Sequence, residues 1–253
     1  ECSCMIEKHL GRTIDIHGGG VDLVFPHHEN EIAQSTCAHG GETFVRYWLH
    51  NGFVNVDNEK MSKSIGNVLL VHELLKQAPG EAIRLALLNA HYRQPLDWTD
   101  RGLAQAKRML DRLYGALRTL GDIDTDPDAV PSAEFLAALN DDLNTPKALA
   151  TLFDLARQAN TASDVGEKSH IKGALLTSAD LMGLLQHSAD DWFAGGNGEH
   201  DGIDAEEIER LIEARHNAKA DKDYAEADRI RDELASRDIF LEDGPDGTKW
   251  RRT

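Results

Sequence analysis

Two lysines and two hydroxyls fall within five residues at Lys60-Met61-Ser62-Lys63-Ser64, with Gly66 just beyond them. A phosphate chain needs positive charge at short range, and a lysine on a flexible stem follows charge as it develops in a transition state. Lys63 is the first candidate for that work and Lys60 the second. Taken alone, the pentapeptide also reads as a solvated turn after a hairpin, the commoner fate of short Lys/Ser matches. A second group could bind metal. His27 and Glu31 stand four residues apart on a predicted helix, so their side chains share a face, and Cys2 comes from an earlier element. Thiolate, imidazole and carboxylate all suit zinc, and three protein ligands with an open position mark a working site. Spacing does not choose among Cys2, His27 and Glu31 and their neighbours Cys4, His28 and Glu29, and a surface His-Glu pair beside a buried cysteine is the plainer alternative. A third group is His17-Gly18-Gly19-Gly20 with Asp22, where glycines after a strand let the backbone approach a ligand or simply make a tight turn.

The elements that must position these groups are short at first. Thr13 to His17 reads as a strand, His27 to Ala38 as a helix, Val45 to Val56 as extended chain leading to the lysine loop, and Val71 to Gln77 and Gly80 to Ala90 as helices. From Thr99 the period changes. Leu103, Ala106, Leu110, Leu113, Leu117 and Leu120 recur in steps of three and four, one stripe of a packing helix. Asn144-Thr145-Pro146 starts another by side-chain capping and an early proline, burying Leu149, Leu152, Phe153 and Ala156, and His170 to Leu185 is a third. Ser188 to Gly202, with Gly195-Gly196-Asn197-Gly198, reads as a linker. Two helices, Ala205 to Ala218 and Tyr224 to Ser236, then precede a small hairpin turning at Gly244-Pro245-Asp246-Gly247.

Composition narrows the class. Hydrophobic residues are 41% and charged residues 28% of the chain, ordinary for a soluble globular protein. No apolar run approaches the roughly 20 residues that span a bilayer, and there is no signal-peptide pattern, so a cytoplasmic, membrane-free protein is expected. Cys2, Cys4 and Cys37 are too few and too unevenly placed for a disulfide framework. A net charge of −17 opposes RNA binding over the whole surface and leaves room for a local basic path. Arg215, Lys219, Lys222, Arg229, Arg231 and Lys249-Trp250-Arg251-Arg252 draw attention to the tail.

The lysine pentapeptide matches the KMSKS signature of class I aminoacyl-tRNA synthetases. With Glu1-Cys2-Ser3, Asp15-Ile16-His17-Gly18-Gly19-Gly20-Val21-Asp22-Leu23, Phe25-Pro26-His27-His28-Glu29-Asn30-Glu31, His50-Asn51-Gly52-Phe53-Val54 and Trp250-Arg251-Arg252, the chain resembles the cysteinyl-tRNA synthetases along nearly its whole length. The resemblance implies an α/β plus all-α architecture: residues 1–98 as the back half of a Rossmann-like catalytic domain, 99–187 as a tRNA-docking helical bundle, 188–202 as linker and 203–253 as a small α+β anticodon-binding module. It implies ATP-dependent activation of L-cysteine and transfer to tRNA(Cys), in a monomer with one Zn²⁺ per subunit and Mg²⁺ accompanying ATP. Cys2, His27 and Glu31 become the metal ligands, completed in such enzymes by a cysteine that nothing here matches. Lys63, Gly18, Gly19 and Asp22 become the ATP-binding residues and His17 a wall of the amino-acid pocket. In the tail, Tyr224 offers a stacking face, Asp228, Arg231 and Asp243 offer contacts to base edges, and Lys219 can meet a phosphate. Asp228 and Arg231 also suit a plain intrahelical pair. The His-x-Gly-His element of a complete class I enzyme does not occur, and Glu1 stands where a methionine would begin a chain, so a truncated protein inactive by itself is expected. A mycothiol-pathway cysteine ligase shares the pocket chemistry but ought to lack the tail module, and a non-catalytic tRNA- or zinc-binding piece is the remaining alternative.

Overall fold

In a computed structural model, residues 1–57, 59–61, 68–194, 205–237, 239–244 and 247–252 are described. Helix α1 (Cys2–Leu10) leads into strand β1 (Ile14–Gly20), a 3-10 turn (Val21–Leu23), a single π turn (Val24–His28) and helix α2 (Glu29–Ala38). Strand β2 (Val45–Asn51) returns parallel to β1, with His17 opposite Trp48 and Gly19 opposite His50. A parallel return needs such a helical crossover. Because successive strand residues face opposite ways, His17, Gly19, Trp48 and His50 share one face while Ile16 and Tyr47 are exposed on the other. Ile14, Phe44 and Val45 form a small core for this pair.

Gly52 ends β2, and the chain enters a second sheet of order β4-β3-β5, made of β3 (Val54–Val56), β4 (Glu59–Lys60) and β5 (Leu96–Trp98). The expected single extended run Val45 to Val56 is therefore two strands in two sheets. At the break a Cβ on Gly52 would overlap the Gln94 carbonyl, so only glycine lets the 91–95 turn lie against it. Two short helices, α3 (Val71–Leu74) and α4 (Gly80–Leu88), separate β4 from β5; the expected helix to Gln77 stops early. Strand β5 is three residues long, too short to show alternation in the sequence.

Helix α5 (Asp100–Leu120) is capped by Thr99, whose Oγ1 accepts from the Gly102 amide, and buries the whole expected leucine stripe. It packs with α7 (Thr145–Thr161), α8 (Val165–Asp180) and α9 (Ala189–Phe193), while α6 (Ala133–Leu139) packs on α7. Asn144 accepts from Lys147 N as the start of α7. Phe153 lies only partly buried on that helix, with Leu155 taking the core position. Residues 188–194 are not linker. Ser188 caps α9, and Trp192 and Phe193 enter the bundle core. That core also takes Leu74, Ala82, Ile83, Leu85 and Trp98, so the segment after the lysine loop packs with the helices that follow it.

A buried carboxylate ties these parts together. Glu81 on α4 accepts from Tyr114 Oη at 2.9 and 3.0 Å, from Leu185 N at 3.1 Å and from Gln186 N at 2.8 Å. Tyr114 stacks on Trp192 with centroids 4.6 Å apart, and burial, with the Glu81 charge beside it, pushes its phenol above the ordinary tyrosine range. At the surface Asp142 accepts from Tyr92 Oη at 2.7 Å and from Arg93 Nε at 2.6 Å, and these bonds hold its carboxyl down at about 2. The tail consists of α10 (Ala205–Ala220), α11 (Tyr224–Ala235) and the antiparallel pair β6 (Ile239–Gly244) and β7 (Gly247–Arg252), around Ile208, Ile212, Ile230, Leu234 and Ile239. Ser62 to Asn67, residues 195–204, and Pro245 and Asp246 of the expected turn lie outside the described residues.

Candidate metal centre

The start of α1, the π turn after β1 and the first turn of α2 each deliver one group to a single point. Phe25 departs from helical geometry at φ −135°, after which His27 and Glu31 fall on one side of the continuing helix. One donor atom from each of Cys2, His27 and Glu31 lies within 4.8 Å of the others. A second group, His17, His28 and Glu31, satisfies the same distance, so Glu31 belongs to both. Glu31 is 3% exposed, and neither carboxylate oxygen has a hydrogen-bond partner. The nearest cationic candidates, His17 Nε2 and His27 Nε2, stand off at 3.5 and 3.6 Å. Burying a carboxylate without donors is costly, and a bound cation is one way to compensate it. Thiol, imidazole and carboxylate form a donor set suited to zinc, and the residues present therefore fit that ion.

The surroundings are histidine-rich beyond what the sequence singled out. His28 Nδ1 and His50 Nε2 share a hydrogen bond of 2.8 Å. His17 stacks on Trp48 at 4.8 Å, and Trp48 stacks in turn on His50 at 5.9 Å with planes 4° apart. Burial, then the neighbouring His17 and His50 rings, hold His28 below the ordinary histidine value. Trp48 and His50 were not singled out as site residues, although their alternation along one strand was readable in the sequence, and His28, which spacing had left open beside His27, joins them here. His17, expected as a wall of the amino-acid pocket, stands beside Glu31, its Nε2 3.5 Å from a carboxylate oxygen.

The glycine run is different from its expected loop. Gly18, Gly19 and Gly20 continue β1, paired with Leu49, His50 and Asn51. A Cβ on Gly19 would lie 2.8 Å from His28 Cε1 and 3.0 Å from Leu23 Cδ1, so that glycine makes room for a histidine ring. A Cβ on Gly20 would meet Asp22 Oδ1 at 2.5 Å, which shows the exposed Asp22 side chain folded back over the strand end. Gly18 alone has ordinary space. Lys60 is paired with Asn55 at the start of the lysine loop, and Lys63 lies outside the described residues.

In the tail, the expected RNA contacts are largely engaged with one another. Asp243 accepts from Arg215 at 2.8 and 2.9 Å, from Lys219 at 2.9 Å and from Thr248 Oγ1 at 2.7 Å. Four bonds fill the acceptor capacity of a carboxylate, so Asp243 fastens the hairpin to α10 and has none left for a base edge. Lys219 is drawn to that carboxylate. Arg231 pairs with Asp228 at 3.0 Å, the intrahelical alternative, while Tyr224 is 64% exposed.

Three family models match the chain in order: tRNA synthetases class I (C) catalytic domain over residues 1–108, DALR domain over 134–186, and cysteinyl-tRNA ligase anticodon binding domain over 204–251. Curated relatives named cysteine–tRNA ligase include those of Parvibaculum lavamentivorans, 67% identical over 99% of this chain and 54% of the relative, and Maricaulis maris, 56% identical over 100% and 54%. That of Rhodospirillum rubrum is 55% identical over 100% of this chain and 55% of its own. The chain thus spans about half the length of these relatives. Among the described residues, no helix is long and apolar enough to cross a membrane.

Proposed function

The chain belongs to the cysteinyl-tRNA synthetase family, and from that premise we propose that it serves ATP-dependent activation of L-cysteine and transfer of the cysteinyl group to tRNA(Cys) in the cytoplasm. The observation that carries the reading is the buried Glu31 carboxylate, 3% exposed and without a hydrogen-bond donor, within 4.8 Å of Cys2 and His27 donor atoms. Cys2, His27 and Glu31 would hold zinc. When bound, that ion supplies a soft Lewis acid that favours a thiolate over an alcohol, a distinction that a purely apolar pocket makes poorly between near-isosteres. The chain's own residues do the rest. His17, stacked on Trp48, walls the amino-acid side of the pocket, and the His28–His50 hydrogen bond fixes the ring beneath it. Gly18, Asp22 and the strand end face the nucleotide, with Gly19 acting through the space it leaves for His28.

In the first step the cysteine carboxylate attacks the α-phosphate of ATP, forming cysteinyl-adenylate and releasing pyrophosphate. In the second a terminal ribose hydroxyl of the tRNA takes the acyl group and AMP leaves. Orientation and neutralisation of phosphate charge dominate both steps. Lys63, with Lys60 behind it and Mg²⁺ accompanying the nucleotide, is assigned that neutralisation. Tyr224 remains the tail residue best exposed for stacking on an anticodon base. The match of residues 204–251 to an anticodon-binding model favours tRNA over an amino sugar as acceptor.

Cobalt tests the reading with a signal from the site itself. The chain loaded with Co²⁺ is expected to show a thiolate-to-metal charge-transfer band from Cys2 that grows on adding L-cysteine and does not respond to L-serine. A wild-type chain that takes up neither cobalt nor zinc, or that responds equally to both amino acids, would overturn it.

A further inference from the structure

Of the three metal-site residues, Cys2 has the least to hold it in place. Glu31 is buried, and His27 stands one turn before it on the continuing helix. Cys2 opens α1, none of whose residues is buried and whose N-cap, Glu1, makes no side-chain bond to the helix. Its position therefore depends on how α1 as a whole is tied down. Ile6 packs on the small core of Ile14, Phe44 and Val45. Among the described residues, two side-chain hydrogen bonds cross from α1 to the α2 segment. Ser3 Oγ donates to Gln34 Oε1 at 3.2 Å, and His39 Nε2 donates to Glu7 Oε1 at 2.9 Å.

Ser3 and Glu7 are four residues apart, so one face of α1 carries both ties, with Glu7 about 7.5 Å along the axis from Cys2. The two are unequal in strength. A hydrogen bond to a carboxylate is about twice as strong as a neutral one, and the neutral Ser3–Gln34 bond is longer and exposed. His39 is also the firmer partner. Its amide returns to Ser35 O at 3.1 Å and that of Gly41 to Thr36 O at 2.8 Å, through left-handed φ values of +63° at Gly40 and +91° at Gly41 that suit glycine. A carboxylate only accepts, so Nε2 carries the ring proton. His39 Nδ1 is buried without a hydrogen-bond partner, which leaves Glu7 as the group that engages the ring. Arg12 Nε, 3.6 Å from the same Glu7 oxygen, adds a cation beside the bond. Without the Glu7–His39 bond α1 keeps one weak tie and the Ile6 contact, and the direction of Cys2 is no longer fixed. A metal ligand tolerates displacement of only about 0.5 Å.

We propose that Glu7 and His39 are positioning residues for the metal centre: their hydrogen bond holds α1 at the angle that keeps the Cys2 thiolate on the ion. The inference rests on the reading of Cys2, His27 and Glu31 as a zinc site. It extends that reading to a pair of side chains outside the donor set.

Cobalt titration of the full chain separates positioning from stability, because total uptake reports the whole donor set and the thiolate charge-transfer band reports Cys2. Glu7→Ala and His39→Ala break the bond, and Glu7→Gln keeps an acceptor oxygen for His39 Nε2. Circular dichroism checks that each folds. Glu7 is exposed and alanine favours helix, so Glu7→Ala stays decisive even where loss of the half-buried His39 ring unfolds the chain. The alanine variants are expected to bind Co²⁺ about tenfold to a hundredfold more weakly, with a smaller charge-transfer band per bound cobalt, and Glu7→Gln to recover most of both. With zinc present, iodoacetamide should label Cys2 faster in the alanine variants than in the wild-type chain and label Cys4 and Cys37 at unchanged rates, read by peptide mass spectrometry. Folded alanine variants with wild-type affinity and band would overturn the positioning role and leave the metal site standing. Weaker uptake with an undiminished band per cobalt and Cys2 still protected would make the loss a general loosening and overturn it too. A wild-type chain that binds cobalt without a thiolate band would overturn both the positioning role and the donor set beneath it.

Discussion

Glu81→Ala removes the acceptor shared by α4, α5 and the chain after α8, and its cost can be worked from the bonds lost. Two of the three donors left behind are buried: Tyr114, 0% exposed, and the amide of Leu185, 6% exposed. Each buried donor left unpaired costs about 1–3 kcal/mol, whereas Gln186 is exposed and its amide can turn to water. Relief of the carboxylate's own desolvation offsets part of the sum, so a loss of about 3 kcal/mol is expected. Tyr114→Phe leaves the carboxylate its two backbone donors and should cost less, about 1–2 kcal/mol. Because the two side chains share one network, the double variant should fall short of the added single losses by more than about 0.5 kcal/mol. Urea unfolding followed by far-ultraviolet circular dichroism measures this, provided the m-value is unchanged. A Glu81→Ala loss below about 0.5 kcal/mol, or strict additivity with Tyr114→Phe, would refute the account of the clamp.

Glu31→Gln keeps the shape of the metal centre and removes its charge; zinc affinity, read by competition with a chromogenic chelator, should fall by more than about a hundredfold, beyond what outer ligands contribute. Cys2→Ala and His27→Ala should do the same, and unchanged zinc affinity in all three would exclude this donor set. Gly19→Ala forces a methyl against the His28 ring at 2.8 Å; a stability loss of about 1–3 kcal/mol is expected, and a neutral melt would show the ring free to move. Arg215, then Lys219 and Thr248, hold the Asp243 carboxyl below its ordinary range. A depressed folded value stabilises above the unfolded value near about 3.9 and is lost as pH falls through the folded one. The tail should therefore lose stability on acidification below about pH 5, and Asp243→Asn should be less stable at neutral pH but less sensitive to acid. A wild-type-minus-variant difference that does not change with pH would contradict this.

Long periodic elements were legible because periodicity accumulates over many residues. The α5 stripe from Leu103 to Leu120 is buried throughout, and Asn144 caps α7 as its side chain and the following proline suggest. Short elements were not. Strand β5 has three residues and α9 has five, neither long enough to establish a period, and the glycine run that begins at Gly195 drew the linker reading back over α9. What fixes α9 is long-range: Trp192 stacks on Tyr114 and donates to Asp111, contacts that no local window contains.

The site was legible to the extent that its residues lie close in sequence. His27 and Glu31 follow from a four-residue helical step, but their meeting with His17, Trp48 and His50 depends on the parallel register of β1 and β2. That register also reassigns Gly19. In the sequence it looks like a place for a ligand, and in the fold the place is taken by His28, whose ring packs between the strand and Trp48. The same long-range pairing reassigns charge. Arg215 and Asp243 are 28 residues apart, so the sequence shows an arginine open to RNA where the structure shows one bound to a carboxylate. Net charge of a segment therefore does not locate an RNA path.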